Sequence, residues 1–285
     1  MIQTPRYLSF LLVCASILLL LGTLHMSGDK VPKVLSPINP WSSSPQSDGQ
    51  KASNKPIFGS KNHDNRPTFT DLAHKSGTDK VTTHNYGLLY DKYLAQFRDE
   101  SVKMIEIGLG CGMPYGPGAS YPIWTTYFPT IQLNIVEYDE ECGSVWAAQN
   151  PEAVIFFGDQ SSVPFLHHVG AEVTADRLVD IIVDDGGHTM DQQTTSLQEL
   201  WPYLRPGGVY FAEDLQTSFM DKYGGDSTRT NLNKKTFIRW IHELVDDIMS
   251  SPEGITPKNA WSSEIASIDC MAEMCVLTKK EKGER

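Results

Sequence analysis

Two short runs end in acid. Leu178-Val179-Asp180-Ile181-Ile182-Val183 leads into Asp184-Asp185-Gly186-Gly187-His188, and about thirty residues later Gly208-Val209-Tyr210-Phe211-Ala212 leads into Glu213-Asp214. Carboxylates with a nearby imidazole can hold a hard divalent cation and move a proton near neutral pH. Side chains at the ends of two neighbouring strands would share one crevice. Three carboxylates without a thiol or imidazole cluster form an oxygen site, which suits magnesium or manganese rather than zinc.

The flanking elements supply the geometry. Both runs are apolar and β-branched, as strands buried on both faces are. Between them, Gln192 to Leu204 places Leu197, Leu200, Trp201 and Leu204 at helical spacing and stops at Arg205-Pro206-Gly207-Gly208. A right-handed crossover makes the two strands parallel, and as neighbours they lie roughly 5 Å apart. Because successive strand residues point to opposite faces, Asp184 and Asp185 cannot both reach a cation. Asp185 is assigned to it, with Asp184 nearer a cofactor or supporting the site from behind, and Glu213 and Asp214 can act together only if their strand has already ended. The bland alternative is that these acids, or Asp191, merely cap the following helix.

The same pattern recurs upstream. Val102-Lys103-Met104-Ile105-Glu106-Ile107 runs into Gly108-Leu109-Gly110-Cys111-Gly112, a turn whose glycines permit positive φ and close approach of a ligand. Leu133-Asn134-Ile135-Val136 ends in Glu137, where a carboxylate suits the two hydroxyls of a ribose. Ala153-Val154-Ile155-Phe156-Phe157 ends in Gly158-Asp159-Gln160-Ser161. Open α/β sheets bind ligands at such strand ends. A nicotinamide oxidoreductase is disfavoured because Met113 stands where the last glycine of Gly-x-Gly-x-x-Gly should fall.

These residues resemble a known family. Glu106-Ile107-Gly108-Leu109-Gly110, Glu137, Gly158-Asp159 and Asp184-Asp185 are similar to the strand-end motifs of class I S-adenosylmethionine-dependent methyltransferases. Adding Gly77-Thr78-Asp79-Lys80, His84-Asn85-Tyr86, Gly186-Gly187-His188 and Glu213-Asp214 narrows the resemblance to the macrocin and mycinamicin sugar O-methyltransferases, over about Phe69 to Lys279. The resemblance implies an α/β fold with a Rossmann-like seven-stranded sheet and helices on both faces. It implies cofactor contacts from Glu106, Gly108, Gly110, Gly112, Glu137, Asp159, Gln160 and Asp184, a magnesium or manganese ion on Asp185, Glu213 and Asp214, and His188 as general base. The implied reaction is methyl transfer from S-adenosylmethionine to a hydroxyl of a small molecule such as a sugar. The chain departs from the family at Gly187, more often Ser, and after Leu215. That divergence keeps open a second reading, a non-catalytic interaction module on the same fold.

The remainder sets boundaries. A net charge of −11 argues against nucleic acid as a partner. Tyr7 to Leu24 is an uncharged apolar run at the lower limit for a spanning helix. Without a clean small-x-small site it reads as an uncleaved anchor within residues 1–26, making a single-pass membrane protein of the endoplasmic reticulum or Golgi, or a secreted one if cleaved. Residues 27–66, rich in Ser, Pro, Lys and Asn, read as a disordered stalk, with the methyltransferase domain at 67–285 and room for a homo-oligomer. Phe237, Trp240, Ile241, Leu244, Val245 and Ile248 form one helical face, and Glu264 to Asp269 with Met274 to Thr278 reads as a closing hairpin. Five cysteines show no Cys-x-x-Cys spacing, and Cys270 and Cys275 either bridge that hairpin or stay free.

Overall fold

Strand ends in this protein are set level by hydrogen bonds that continue one residue past each strand. The computed structural model describes residues 65–250 and 254–283, all within the unit His63–Arg285. It has seven strands: β1 (Lys103–Ile107), β2 (Gln132–Glu137), β3 (Val154–Phe157), β4 (Val179–Asp184), β5 (Leu204–Ala212), β6 (Ile265–Met271) and β7 (Met274–Lys279). Their order is β3-β2-β1-β4-β5-β7-β6. Strands β1 to β5 are parallel, while β7 is antiparallel to β5 and to β6. The order reverses between β1 and β4, the switch point at which a crevice opens beyond the carboxyl ends.

Helices α1 (Phe69–Ser76), α2 (Gly87–Leu94) and α3 (Tyr121–Tyr127) cover one face, and α5 (Val163–Val173), α6 (Met190–Leu200) and α7 (Phe237–Ser250) cover the other. The two-residue period of the strands divides the core between these faces. Met104, Ile181, Val183, Val209, Phe211 and Val276 pack on the first, and Ile105, Ile182, Tyr210 and Leu277 on the second. Helix α4 (Glu140–Gln149) follows β2, with the Asp139 side chain accepting from the Cys142 N–H as N-cap. Helix α6 is capped by Thr189 and Gln192 in a reciprocal capping box, so neither Asp184, Asp185 nor Asp191 is used as its cap.

Two expectations need revision here. Arg205-Pro206-Gly207-Gly208 is not a loop after a helix but the bulged first half of β5, because pairing jumps from Val179↔Leu204 to Ile181↔Val209. Among the described residues, Cys270 and Cys275 form the bridge that the sequence left open, and Cys111 and Cys142, for which it offered no partner, form a second. The expected anchor and most of the stalk lie outside the described residues. Among the described residues, no helix is long and apolar enough to cross a membrane.

The extended ladder aligns the site. Gly108 N–H donates to the Val136 carbonyl at 2.8 Å, Asp185 N–H to Ile107 at 3.0 Å, Gly158 N–H to Glu137 at 3.0 Å, and Glu213 N–H to Asp184 at 3.0 Å. The approach is so close that a Cβ on Gly108, whose φ is +99°, would lie 2.0 Å from the Asp185 carbonyl oxygen. Gly108→Ala should therefore lower the denaturant midpoint, with about 1–3 kcal/mol coming from the backbone conformation alone. An unchanged midpoint would show that this junction is not tight.

Candidate functional site

A cavity of about 390 Å³ opens over the switch point, within the usual range for a small-molecule site. Gly108, Gly110, Glu137, Gly158, Gln160, Asp185, His188, Glu213 and Asp214 line it, together with His84 and Tyr86 from the loop before α2. On the β1–β2 side, the Glu137 carboxylate accepts from the Leu109 N–H at 2.9 Å and from the Asp139 N–H at 2.8 Å. Those bonds fix its orientation, and each oxygen keeps a second lone pair for a ligand hydroxyl. Gln160 spans two loops: its amide N–H₂ donates to Asp184 at 2.9 Å and its carbonyl accepts the Gly187 N–H at 2.7 Å.

The acidic side is built on two strained residues. Asp214 has φ of 55° and His188 has φ of 59°, left-handed conformations uncommon for residues with a Cβ. For Asp214 the consequence is geometric. Strand β5 ends at Ala212, and the left-handed residue turns its carboxylate into the cavity beside Asp185 rather than away from it. His188 Nε2 then stands 3.2 Å from Asp214 Oδ2 and 3.9 Å from Asp185 Oδ1. Asp185, His188 and Asp214 each offer a ligand atom within 4.8 Å of the others, a set able to hold a metal ion. Burial alone would raise the Asp214 carboxyl, but the adjacent His188 and hydrogen bonds from Gln216 and Tyr86 bring it below the ordinary carboxylate range.

Lys80 was not singled out for a role by residue type, yet it joins the acids. Its ammonium donates to Asp185 Oδ2 at 2.6 Å and to Glu213 Oε2 at 2.7 Å. The side chain is buried. Burial opposes its charge, but Asp185, Glu213 and Glu106 outweigh it and hold the ammonium well above the usual lysine range. Tyr90 donates its hydroxyl to the other oxygen of Glu213, and its ring is stacked between Phe69 at 4.2 Å and Phe211 at 4.7 Å. Only the Gly77–Lys80 and His84–Tyr86 motifs hinted at this contribution from α2 and the loop before it.

Not every expected site residue is a member of that ligand group or faces the cavity. Glu213 lines the cavity but is outside the Asp185, His188, Asp214 group, because Lys80 and Tyr90 engage its two oxygens. Asp184 points to the opposite face and accepts from Gln160 and from the Tyr210 hydroxyl at 3.0 Å; burial pushes its carboxyl up to about 6. It reaches the cavity only through Gln160. Asp159 turns back to accept from the Ser161 N–H at 2.8 Å and does not line the cavity, nor does Gly112. Glu106 lies beneath the glycine turn, accepting from the Trp124 indole N–H at 2.9 Å. At Gly187, the space a serine Cβ would need is occupied by the Gln192 side chain, whose amide nitrogen lies 2.3 Å from that point.

No family model matches the chain. It is 33% identical over 186 residues to the 8-demethyl-8-alpha-L-rhamnosyl tetracenomycin-C 2'-O-methyltransferase of Streptomyces olivaceus, covering 64% of this chain and 46% of that one. A second relative from the same organism is the 8-demethyl-8-(2-methoxy-alpha-L-rhamnosyl)-tetracenomycin-C 3'-O-methyltransferase. It is 30% identical over 219 residues, or 75% of this chain and 54% of that one. The chain thus spans about half the length of the curated relatives it matches. The solved structure of the MycE methyltransferase of the mycinamycin biosynthetic pathway, in complex with Mg, SAH and mycinamycin VI, matches with a TM-score of 0.65. The identity is 24%, covering 77% of this chain and 56% of that one. The chain therefore has the methyltransferase fold, and its sequence resembles the sugar O-methyltransferases. The expected endoplasmic reticulum or Golgi address is overturned. It rested on the N-terminal run alone; among the described residues no helix is long and apolar enough to cross a membrane, and these relatives are bacterial.

Burial pushes the Glu106 carboxyl up to about 7, although Lys80 and Trp124 pull against it. A raised carboxyl favours the folded state below the unfolded value, near 4.5, and that contribution is lost as pH rises through 7. The displacement corresponds to about 3 kcal/mol. Glu106→Gln should accordingly raise the melting temperature more at pH 8 than at pH 5. The same increment at both would mean that Glu106 does not titrate in this range.

Proposed function

We propose that this protein is an S-adenosylmethionine-dependent O-methyltransferase, assisted by a divalent cation, acting on a hydroxyl of a glycosylated small molecule. The observation that carries the reading is that Asp185, His188 and Asp214 converge at the end of the cavity whose other wall is the Gly108–Gly110 turn and Glu137. Two known ligand chemistries fit those walls. Glu137 keeps free lone pairs where a ribose diol would donate, and the glycine turn leaves room for a methionine chain against the backbone. Asp185 and Asp214 are oxygen donors suited to magnesium or manganese, with Glu213 added when Lys80 releases it. Relatives bearing sugar O-methyltransferase names, and a structural neighbour solved with Mg and SAH, support this choice of reaction.

A bound cation would hold the acceptor hydroxyl and favour its ionised form. S-adenosylmethionine would supply the methyl group, the carbon–sulfur bond breaking as the carbon–oxygen bond forms. The protein's own part is placement and proton transfer. His188 Nε2 takes the hydroxyl proton, and Asp214 Oδ2 at 3.2 Å stabilises the imidazolium that results. Glu137, held by the Leu109 and Asp139 N–H groups, would hold the ribose of the cofactor. Lys80 fixes the Asp185 carboxylate and balances the charge of a crowded acidic pocket.

Calorimetric titration of the protein with S-adenosylhomocysteine should give a saturable heat; none would end this reading. His188→Ala should lower turnover by about 10²–10⁴ with S-adenosylhomocysteine affinity unchanged. Full activity in that variant would remove His188 as the base.

A further inference from the structure

The tip of the β6–β7 hairpin packs against two segments that border the cavity, and the proposed reaction leaves it without a task. Glu273, at that turn, is left-handed with φ of 68°, the same uncommon conformation found at His188 and Asp214. It touches both the acidic loop and the loop before α2. Its backbone carbonyl accepts the Leu215 N–H at 2.8 Å, gripping the residue that follows Asp214. Its carboxylate lies 2.7 Å from Nδ1 of His84. A carboxylate can only accept, so Nδ1 donates and the ring is held in one orientation.

That orientation is transmitted to Asp214. The His84 ring is stacked on Tyr86, with centroids 4.7 Å apart and planes 13° from parallel. The Tyr86 hydroxyl donates to Asp214 Oδ1 at 2.9 Å and accepts the Asp214 N–H at 3.2 Å. His84 Nε2 itself faces Asp214 Oδ1 at 3.7 Å. The hairpin is tied below its tip by Cys270–Cys275, a pair in direct register across β6 and β7. A strained aspartate turned into a cavity needs such support from outside its own loop.

We infer that Glu273 and His84 are positioning residues that brace Asp214 in the geometry a divalent cation requires, acting through Tyr86. The inference rests on the proposed cation site and adds to it an outer layer drawn from two distant parts of the chain. Outer partners of metal ligands fix ligand direction, and losing one typically weakens metal binding by about 10- to 100-fold. His84 touches Asp214 only at its edge, so the effect is on aim and not on proton transfer.

The test is Mn²⁺ binding to the purified protein, followed by electron paramagnetic resonance, with S-adenosylhomocysteine affinity measured alongside by calorimetry. Glu273→Gly removes the carboxylate while suiting the left-handed turn, so the hairpin is not weakened. It should bind Mn²⁺ about tenfold or more weakly, with S-adenosylhomocysteine affinity unchanged. Glu273→Gln, whose amide oxygen still accepts from Nδ1, should recover most of the loss. His84→Ala should match Glu273→Gly, and combining the two should add little, as expected of residues acting through one contact. Mn²⁺ affinity equal to wild type in both single variants would overturn the brace and leave the cation site standing. Absence of Mn²⁺ binding by the wild-type protein would overturn both.

Discussion

One buried ammonium holds the acidic end of this fold together. Lys80 comes from the loop between α1 and α2 and ends between Asp185 after β4 and Glu213 after β5. Two carboxylates at neighbouring strand ends repel each other, and burial makes each costly unless it is paired. Lys80 answers both problems. Its removal would leave uncompensated charge in the interior, which typically costs about 3–5 kcal/mol when one partner of a buried pair is lost. The aromatic stack of Phe69, Tyr90 and Phe211 keeps water from this pair and delivers a second donor, the Tyr90 hydroxyl, to Glu213. Helices α1 and α2 and the loop between them are thus part of the site and not merely packed on the sheet.

Around that ammonium, the cavity divides into a side held by hydrogen-bonded loops and a side held by strain. On the first, Glu137 is aligned by two backbone donors and Gln160 links the loops after β3 and β4. The Cys111–Cys142 disulfide adds a covalent link between the glycine turn and helix α4. This wall is built to keep its shape. On the second side, His188 and Asp214 adopt left-handed conformations that persist only because neighbouring groups hold them. Thr189 starts helix α6 immediately after His188, and the hairpin turn grips Leu215 immediately after Asp214. Strain of this kind is what allows consecutive residues to serve one pocket despite the alternation of a strand.

Much of the fold was legible in the chain. The buried β-branched runs at Val179–Asp184 and Lys103–Ile107, the helical spacing of Leu197 and Leu200, and the closing hairpin follow from periodicity, which local burial dictates. The alternation rule separated Asp185 from Asp184, and the two do face opposite ways. The bulge in β5 was not legible, because Pro206 and Gly207 look the same in a loop and in an irregular strand. Nor were the roles of Asp159 and Glu106: acid at a strand end signals a crevice, but only the surrounding donors decide whether it faces inward, as Ser161 and Trp124 do here.

By itself, then, the sequence determined that acids and an imidazole stand at the ends of parallel strands beside a glycine turn, since those features depend on short-range pattern. Tertiary structure alone decided which of them meet. Lys80 lies 105 residues from Asp185 and 133 from Glu213, and His84 lies 189 from Glu273. No local periodicity encodes contacts at such separations. They arise because sheet order and helix packing bring segments far apart in the sequence to one crevice, where charge must be paired before it can be buried.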